Sequence, residues 1–392
     1  MVSYISASYI YPITGAPIKN GVLGVDGKGV ITAVLSHEEA KAAGIERITH
    51  YEGLLVPGFV NTHCHLELSH LKGQIARHTG LVDFVQSVMT IRTADEDVVT
   101  AAMQKADAEM FEKGIVAVAD IANQQVSKSV KISSKLYYHT LVEAMGFNPV
   151  TAGARMIGAK ALRRDFNPLP VSTVPHAPYS VSEKLFDLLK AEAEEYGGLF
   201  SIHNQETADE NAFFERKVGR FLDLYQFLGL DIDFYEPTGK TSLQSFLPWV
   251  SPDLKTLLVH NTFTSREDVA YAGSVHKNLY WCLCPSANLY IENRLPDVTM
   301  LMESGLRITL GTDSLASNDK LDILAEMRVL QEHFAIPAEV LLKWATLNGA
   351  AFLGIEGRFG SLEIGKQPGI NLVAFEERDG IVILGTEVVR LY

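Results

Sequence analysis

Four apolar segments of this chain end in side chains that can bind a metal ion or transfer a proton. The first ends in His63 and His65, and the other three end in His203, His260 and Asp313. In an extended strand, residues two positions apart point to the same side, so the two imidazoles of the first segment share a face. A buried histidine pair could instead be hydrogen-bonded without any function. The same ending in four segments favours one shared site.

The types of these residues indicate which ion they would bind. Imidazole and carboxylate ligands with an open coordination position are typical of catalytic Zn²⁺, with Fe²⁺ or Mn²⁺ as substitutes. We therefore predict one divalent metal ion, Zn²⁺ before the other two, held by His63, His65, His203 and Asp313. Such an ion would lower the pKa of bound water towards ~7. The predicted nucleophile is therefore a metal-bound hydroxide.

Eight apolar segments, separated by helical patterns, are predicted to be the strands that position these residues. Their predicted ranges are 58–66, 115–122, 136–143, 171–177, 199–205, 256–261, 279–284 and 307–313. Apolar strands that alternate with helices indicate an α/β protein with a parallel sheet covered on both faces. Eight such units favour a closed (β/α)8 barrel of the TIM type, where chemistry takes place at the carboxyl ends of the strands. His176, at the end of strand 4, is predicted to lie there too.

The two ends of the chain have a different, β-rich character. Asp26 and Gly27 lie between alternating apolar residues, which predicts a hairpin. Apolar strand patterns return near the other end of the chain. We predict a small β-sandwich domain built from both termini, residues 1–57 plus 358–392, and a metal-dependent hydrolase barrel at residues 58–357.

Composition limits the partners. The formal net charge of −13 opposes binding to a phosphate backbone or an anionic membrane, so we expect neither polymeric nucleic acid nor a membrane as a partner. Three cysteines without a CxxC pair are too few for a disulfide framework. The chain opens without a basic leader and long apolar segment, so we expect a cytoplasmic protein. The sequence leaves a homodimer open.

Five motifs that include the candidate ligands follow one another along the chain. They are Pro-Gly-Phe-Val-Asn-Thr-His-Cys-His at 57–65, His-Asn-Gln-Glu-Thr at 203–207, Gly-Thr-Asp-Ser-Leu-Ala-Ser-Asn at 311–318, Ala-Thr-Leu-Asn-Gly-Ala at 345–350 and Gly-Ser-Leu-Glu-Ile-Gly-Lys at 360–366. In this order they resemble the amidohydrolase superfamily. Within it they are similar to the aminohydrolase branch that contains methylthioadenosine/S-adenosylhomocysteine deaminase, guanine deaminase and the triazine chlorohydrolases.

The resemblance implies a barrel with a sandwich from both termini and a single metal ion, because strand 4 lacks the lysine of dinuclear relatives. It also implies catalytic roles. Glu206 would protonate the ring nitrogen beside the reacting carbon. His260 would hydrogen-bond the hydroxide or the developing tetrahedral centre. Asp313 would accept a proton from water and pass it to the departing amine. The alternatives are that Glu206 is an ordinary surface glutamate and that His260 is an ordinary core histidine.

Substrate contacts are less constrained by the sequence. His176 and Ser317 match positions at which nucleoside-deaminating relatives contact the base. Glu67, just beyond the paired histidines, is a candidate acceptor for ribose hydroxyls or else a solvated loop glutamate. The segment 68–92 is predicted to be a loop that could close over the substrate, and Arg92 is one of three arginines that could bind a carboxylate.

These observations predict a metal-dependent deaminase that acts on an amino-substituted heterocycle, with an adenine nucleoside derivative as the expected substrate. One alternative keeps the metal site but hydrolyses a cyclic amide or displaces chloride. A second alternative is a barrel scaffold that has lost catalysis, against which stands the presence of all four candidate ligands together with Glu206 and His260. The first strand continues differently from the branch, as Leu-Glu-Leu-Ser-His-Leu-Lys-Gly at 66–73, which leaves the substrate open.

Overall fold

The computed structural model describes residues 2–392, and strands are its main framework. The strands are β1 (Ser3–Ile10), β2 (Ile18–Lys19), β3 (Val22–Val25), β4 (Ile31–Leu35), β5 (Ile48–Pro57), β6 (Phe59–Cys64), β7 (Ile115–Ala122), β8 (Tyr137–Ala144), β9 (Val171–Pro175), β10 (Phe200–Asn204), β11 (Thr256–His260), β12 (Leu279–Leu283), β13 (Ile308–Leu310), β14 (Ile370–Arg378) and β15 (Ile381–Arg390).

Strands β6 to β13 form the barrel. Parallel pairing joins β6 to β9 in one four-stranded sheet and β10 to β13 in another. At one seam the amide of His203 donates to the carbonyl of His176 at 3.0 Å, and at the other the amides of Thr312 and Asp313 donate to the carbonyl of His63 at 3.0 and 3.1 Å. The eight predicted strands and the (β/α)8 barrel of the TIM type are confirmed.

The alternation of side chains along each strand separates two cores. In β7, Ala117 and Ala119 point into the barrel, where they pack with apolar residues of the other strands. The intervening Val118 and the terminal Ala122 pack against the surrounding helices. Since successive strand residues face opposite sides, an apolar strand of this kind is buried on both faces.

Helices cover the barrel and line its mouth. They are α1 (His37–Ala42), α2 (Leu81–Ile91), α3 (Glu96–Glu112), α4 (Lys128–Ser133), α5 (Ala152–Asp165), α6 (Glu183–Tyr196), α7 (Ala208–Arg216), α8 (Phe221–Phe227), α9 (Ser242–Phe246), α10 (Arg266–Val275), α11 (Pro285–Glu292), α12 (Val298–Glu303), α13 (Ile323–Phe334), α14 (Ala338–Lys343) and α15 (Gly349–Leu353). Among the described residues, none of the helices is long and apolar enough to cross a membrane.

The two termini meet in one hydrogen-bonded sheet of seven strands. Its order is β15-β14-β5-β1-β3-β4, with β2 paired to β1. The predicted hairpin at Asp26 and Gly27 joins β3 and β4 in antiparallel register. Strand β5 ends at Pro57 and β6 begins at Phe59, so the sheet leads directly into the first barrel strand. The association of both termini in one β-structure is confirmed, and the domain bounds stay a prediction.

Candidate active site

The four predicted ligands converge at the carboxyl ends of the barrel strands. The Nε2 atom of His65 lies 3.1 Å from Nε2 of His63 and 3.3 Å from Nε2 of His203. The Oδ1 atom of Asp313 lies 3.6 Å from Nε2 of His63 and 3.5 Å from Nε2 of His65. Three imidazoles and a carboxylate from strands 1, 5 and 8 therefore surround one point.

These separations fit a tetrahedral ion. Ligands at about 2.0–2.1 Å from a tetrahedral Zn²⁺ lie roughly 3.3 Å from one another. The observed donor separations, between 3.1 and 3.6 Å, bracket that value. A neutral imidazole can donate only one N–H···N hydrogen bond, whereas Nε2 of His65 faces ring nitrogens of both His63 and His203, and one ion can contact all three nitrogens at once. The residues present thus fit a divalent metal ion.

The protonation states also suit a metal site. Burial, together with the charge of neighbouring histidines, lowers the pKa of His65 well below its usual range and lowers the pKa of His203 to about 4. Metal ligands must be deprotonated, so rings that stay neutral at physiological pH are prepared for an ion. Nδ1 of His203 donates to the carbonyl of His176 at 2.7 Å, which leaves Nε2 free to point into the cluster.

Three residues at the ends of the barrel strands, one of them a candidate ligand, have a left-handed backbone conformation. Gln205, His260 and Asp313 have φ angles of 46°, 73° and 57°, in a region that non-glycine residues seldom occupy. Such conformations persist only where surrounding contacts hold them, and they cluster at functional sites. At Asp313, the hydroxyl of Ser317 donates to Oδ2 at 2.5 Å. Burial alone would raise the pKa of the Asp313 carboxyl, but the neighbouring histidines lower this pKa by more.

Glu206 and His260 lie together beside the cluster. Oε1 of Glu206 is 3.6 Å from Nε2 of His260. Nδ1 of His260 lies 3.3 Å from the side-chain nitrogen Nδ2 of Asn288. Burial, and then the charge of Asp313, raises the pKa of Glu206 well above its usual range, and burial lowers that of His260. A carboxyl group that holds its proton near neutral pH can act as a general acid.

The cluster opens into a small, partly apolar cavity of about 160 Å³. Its polar wall includes His65, His176, His203, Glu206, His260 and Asp313, and its apolar wall comes mainly from α2 through Leu81, Phe84, Val85, Val88 and Met89. Part of the segment predicted to be a covering loop is therefore a helix that lines the site. A second cavity of about 710 Å³ adjoins the first, and both are lined by Leu68 and Arg92.

The three predicted substrate-binding residues lie in different surroundings. His176 lines the small cavity, and its Nδ1 lies 2.8 Å from the hydroxyl of Ser180. Ser317 is fully buried against Asp313 and is not among the residues that line this cavity. Glu67 faces the larger cavity, where its carboxylate accepts hydrogen bonds from the amides of Asn123 and Gln124. Base contact by Ser317 and ribose contact by Glu67 stay predictions.

The sequence analysis missed Glu143. This residue lies at the end of β8, lines the small cavity, and has Oε1 at 3.6 Å from Nδ1 of His203. Burial raises its pKa to about 8. A charged residue at the carboxyl end of an apolar strand is the same signal that identified the other candidates, and it was available for strand 3.

Comparisons with known proteins agree with this architecture. Residues 54–386 match the amidohydrolase family. The 5-methylthioadenosine/S-adenosylhomocysteine deaminase of Teredinibacter turnerae is 28% identical over 353 residues, which cover 85% of this chain and 74% of that protein. The structure of Helicobacter pylori aminofutalosine deaminase with methylthio-coformycin has a TM-score of 0.81 and 23% identity, covering 96% of this chain and 93% of that one. An adenosine deaminase from Xanthomonas campestris with bound zinc has a TM-score of 0.74 and 23% identity, covering 94% and 84%.

The family match and the geometry lead to the same assignment. The matched range includes every barrel strand and the candidate ligands, and it extends into the strands of the terminal sheet. The solved structures share the fold over nearly the whole chain. The resemblance found in the five motifs is confirmed: the chain belongs to the amidohydrolase family.

Proposed function

We propose that this protein is a metal-dependent aminohydrolase that replaces the exocyclic amine of an adenine nucleoside derivative with oxygen. One observation carries the proposal: Glu206 is a buried acid that keeps its proton and lies beside both His260 and the candidate metal ligands. Deamination of an amidine-like ring needs an acid to protonate the ring nitrogen, whereas simple binding of a metal does not. The naming of the relatives as adenosine and methylthioadenosine deaminases supports this choice.

We propose Zn²⁺ as the ion, held by His63, His65, His203 and Asp313. The donor separations, the neutral imidazoles and the bound zinc of the Xanthomonas campestris protein support zinc. When bound, the ion lowers the pKa of a water molecule and so supplies a nucleophile at neutral pH.

The side chains of this protein then divide the proton transfers. Glu206 gives its proton to the ring nitrogen next to the amine-bearing carbon, which makes that carbon more electrophilic. Nε2 of His260, on the same side as Glu206, hydrogen-bonds the oxygen that develops negative charge at the tetrahedral carbon. Asp313 takes the proton from water and delivers it to the amine, so that ammonia leaves. The carbon–nitrogen bond breaks as the carbon–oxygen bond becomes a carbonyl, and the second proton of the water replaces the one that Glu206 gave to the ring.

The cavities support a nucleoside with a substituent on its 5′ carbon. The small cavity is walled by five apolar side chains of α2, which suit a heterocycle better than water. The adjoining larger cavity gives room for a substituent, and Arg92 lies at the junction of the two. Within the described residues, no carboxylate lies within ion-pair distance of the Arg92 guanidinium. This arrangement favours a substituent that ends in a negatively charged group.

The proposal is tested by ammonia release from purified protein in metal-free and zinc-loaded form. Adenosine, methylthioadenosine, S-adenosylhomocysteine and aminodeoxyfutalosine are the substrates. We expect activity only with metal, and we expect Glu206→Gln to lower kcat by roughly 100- to 10,000-fold without loss of metal. Glu215→Gln, on α7 outside the cavity, is the matched control and should match the parent. Equal activity of the parent and Glu206→Gln, or no ammonia from any adenine nucleoside, would contradict the proposal.

A further inference from the structure

Glu143 has an oxygen atom without a partner that faces the site. Its side chain is 2% exposed, and its Oε2 atom accepts a hydrogen bond from Nδ2 of Asn123 at 3.0 Å. Its Oε1 atom is buried and has no hydrogen-bond partner among the described residues. A buried polar atom without a hydrogen-bond partner costs free energy, so such an atom in a residue that lines a cavity points to a ligand that supplies the partner.

Glu143 borders the cluster but is not one of the four residues whose donor atoms lie 3.1 to 3.6 Å apart at its centre. Its Oε1 atom lies 3.6 Å from Nδ1 of His203, but the proton of that nitrogen is already donated to the carbonyl of His176 at 2.7 Å. The other ring nitrogen of His203, Nε2, lies 3.3 Å from Nε2 of His65 inside the cluster. Glu143 therefore lies beside Nδ1 of His203, and one of its carboxyl oxygens is also within 4.8 Å of ring nitrogens of His65 and His203. Its Oε1 atom has no hydrogen-bond partner among the described residues.

The position separates Glu143 from the proton-transfer groups. Glu143 comes from the end of strand 3 with Asn123 from the turn after strand 2, whereas Glu206 follows strand 5 and contacts His260. A bound heterocycle whose amine-bearing carbon lies at the cluster can thus present its ring nitrogen to Glu206 and another group to Glu143. A hydroxyl group suits a carboxyl oxygen in this place, because it can donate a hydrogen bond to the oxygen or accept one from the protonated carboxyl group.

We infer that Glu143, held by Asn123, binds a hydroxyl group of the substrate's sugar and so makes this a nucleoside enzyme rather than a free-base enzyme. The inference rests on the proposed deaminase function and adds a specificity determinant to it. A free aminopurine or aminotriazine carries no sugar hydroxyl, so it would leave Oε1 of Glu143 without a partner. A site built to bind a hydroxyl rejects the analogue that lacks it, because the buried polar group of the site is then left without a partner.

The test compares adenosine with 2′-deoxyadenosine and 3′-deoxyadenosine in the parent, Glu143→Ala and Glu143→Gln. In the parent we expect the loss of the bound hydroxyl to lower kcat/KM by roughly 10- to 100-fold. In Glu143→Ala the same loss should change kcat/KM by less than about threefold, since the carboxyl group that binds the hydroxyl is absent. Glu143→Gln keeps the size of the side chain and should give an intermediate ratio. Glu112→Ala, at the exposed end of α3 and outside both cavities, is the control and should keep the ratio of the parent.

The zinc content of each variant shows whether Glu143 binds the substrate or is itself a metal ligand. Each variant should bind as much zinc as the parent, and loss of zinc in Glu143→Gln would show a ligand and overturn the inference. An unchanged hydroxyl preference in Glu143→Ala would also overturn it. If the parent releases no ammonia, the deaminase proposal fails by itself, and calorimetry with inosine and its deoxy analogues decides on Glu143. A preference for inosine that Glu143→Ala abolishes would support the inference, whereas equal affinities or no binding would overturn it.

Discussion

The ammonium group of Lys131 lies 2.6 Å from Oδ2 of Asp120, and both side chains are completely buried. Oδ1 of Asp120 accepts a hydrogen bond at 2.8 Å from the amide of Leu66, the residue that follows His65. The next residue, Glu67, accepts hydrogen bonds from the turn after β7. Two buried carboxylates thus fasten the turn that carries one candidate metal ligand to its neighbouring strand.

Replacement of Lys131 by Met should destabilise the protein by ~3–5 kcal/mol, because it leaves the buried Asp120 carboxylate without a counter-charge. The measurement is urea unfolding of metal-free protein, followed by chelator competition to obtain zinc affinity. Lys128→Met, in the same helix at a partly exposed position, should change stability by less than ~0.5 kcal/mol. The double variant Asp120→Asn/Lys131→Met should recover part of the loss. Equal stability of Lys131→Met and Lys128→Met would refute this role for the pair.

Replacement of Ser317 by Ala should weaken zinc binding by roughly 10- to 100-fold, as is usual for groups that orient a ligand. The Ser317 hydroxyl donates to Oδ2 of Asp313 and so fixes the carboxylate while Oδ1 faces the imidazoles. Chelator competition measures the effect. Ser304→Ala removes a hydroxyl that bonds only within α12 and should leave the zinc affinity unchanged. An unchanged affinity in Ser317→Ala would mean that other contacts of Asp313 are sufficient.

Replacement of Arg92 by Met should raise KM for nucleosides with an anionic 5′ substituent by roughly 10-fold or more, with little change for adenosine. The reason is the loss of a charge-assisted hydrogen bond at the junction of the two cavities. Steady-state kinetics with S-adenosylhomocysteine, aminodeoxyfutalosine and adenosine check the result. Arg77→Met is the control, because Arg77 pairs with Asp319 away from the small cavity. Equal effects on charged and neutral substrates would argue against a substituent contact.

His139 should make the metal-free protein less stable in mild acid. Burial, and then the charge of Lys131, lowers the pKa of His139 to about 4, while an unfolded histidine titrates near ~6.5. Between these values only the unfolded chain takes up the proton, so the stabilisation present above ~6.5 is lost as the pH falls towards about 4, by up to ~1.4 kcal/mol per pH unit.

Urea unfolding at about pH 7 and about pH 5 measures this loss. His139→Gln retains a partner for Ser172, which lies 2.9 Å from Nε2, and should lose less stability over this interval than the parent. The substitution His37→Gln, at an exposed position, should leave the loss of stability between these two pH values the same as in the parent. The same acid sensitivity in all three proteins would assign the loss to other buried histidines.

The sequence was sufficient to predict the barrel and the convergence of the four candidate ligands, His63, His65, His203 and Asp313, for one reason. Parallel strands place their carboxyl ends at one rim, so a residue's place at a strand end largely determines its place in the barrel. The contacts of Glu67 and Ser317 could not be predicted in this way. Their partners lie in turns whose conformations depend on hydrogen bonds between distant segments, such as the bonds from Asn123 and Gln124 to Glu67.

The pairing of β5 with β14 delays the completion of this protein during synthesis. Ile370 pairs with Pro57, and Val373 pairs with Leu54, so residues more than 300 positions apart must meet. Strand β5 continues directly into the strand that carries His63, and its partner β14 leaves the ribosome only after the whole barrel has been translated. Since contacts between distant residues form slowly, the nascent chain exposes an unpaired strand edge beside its future metal site until translation is almost finished.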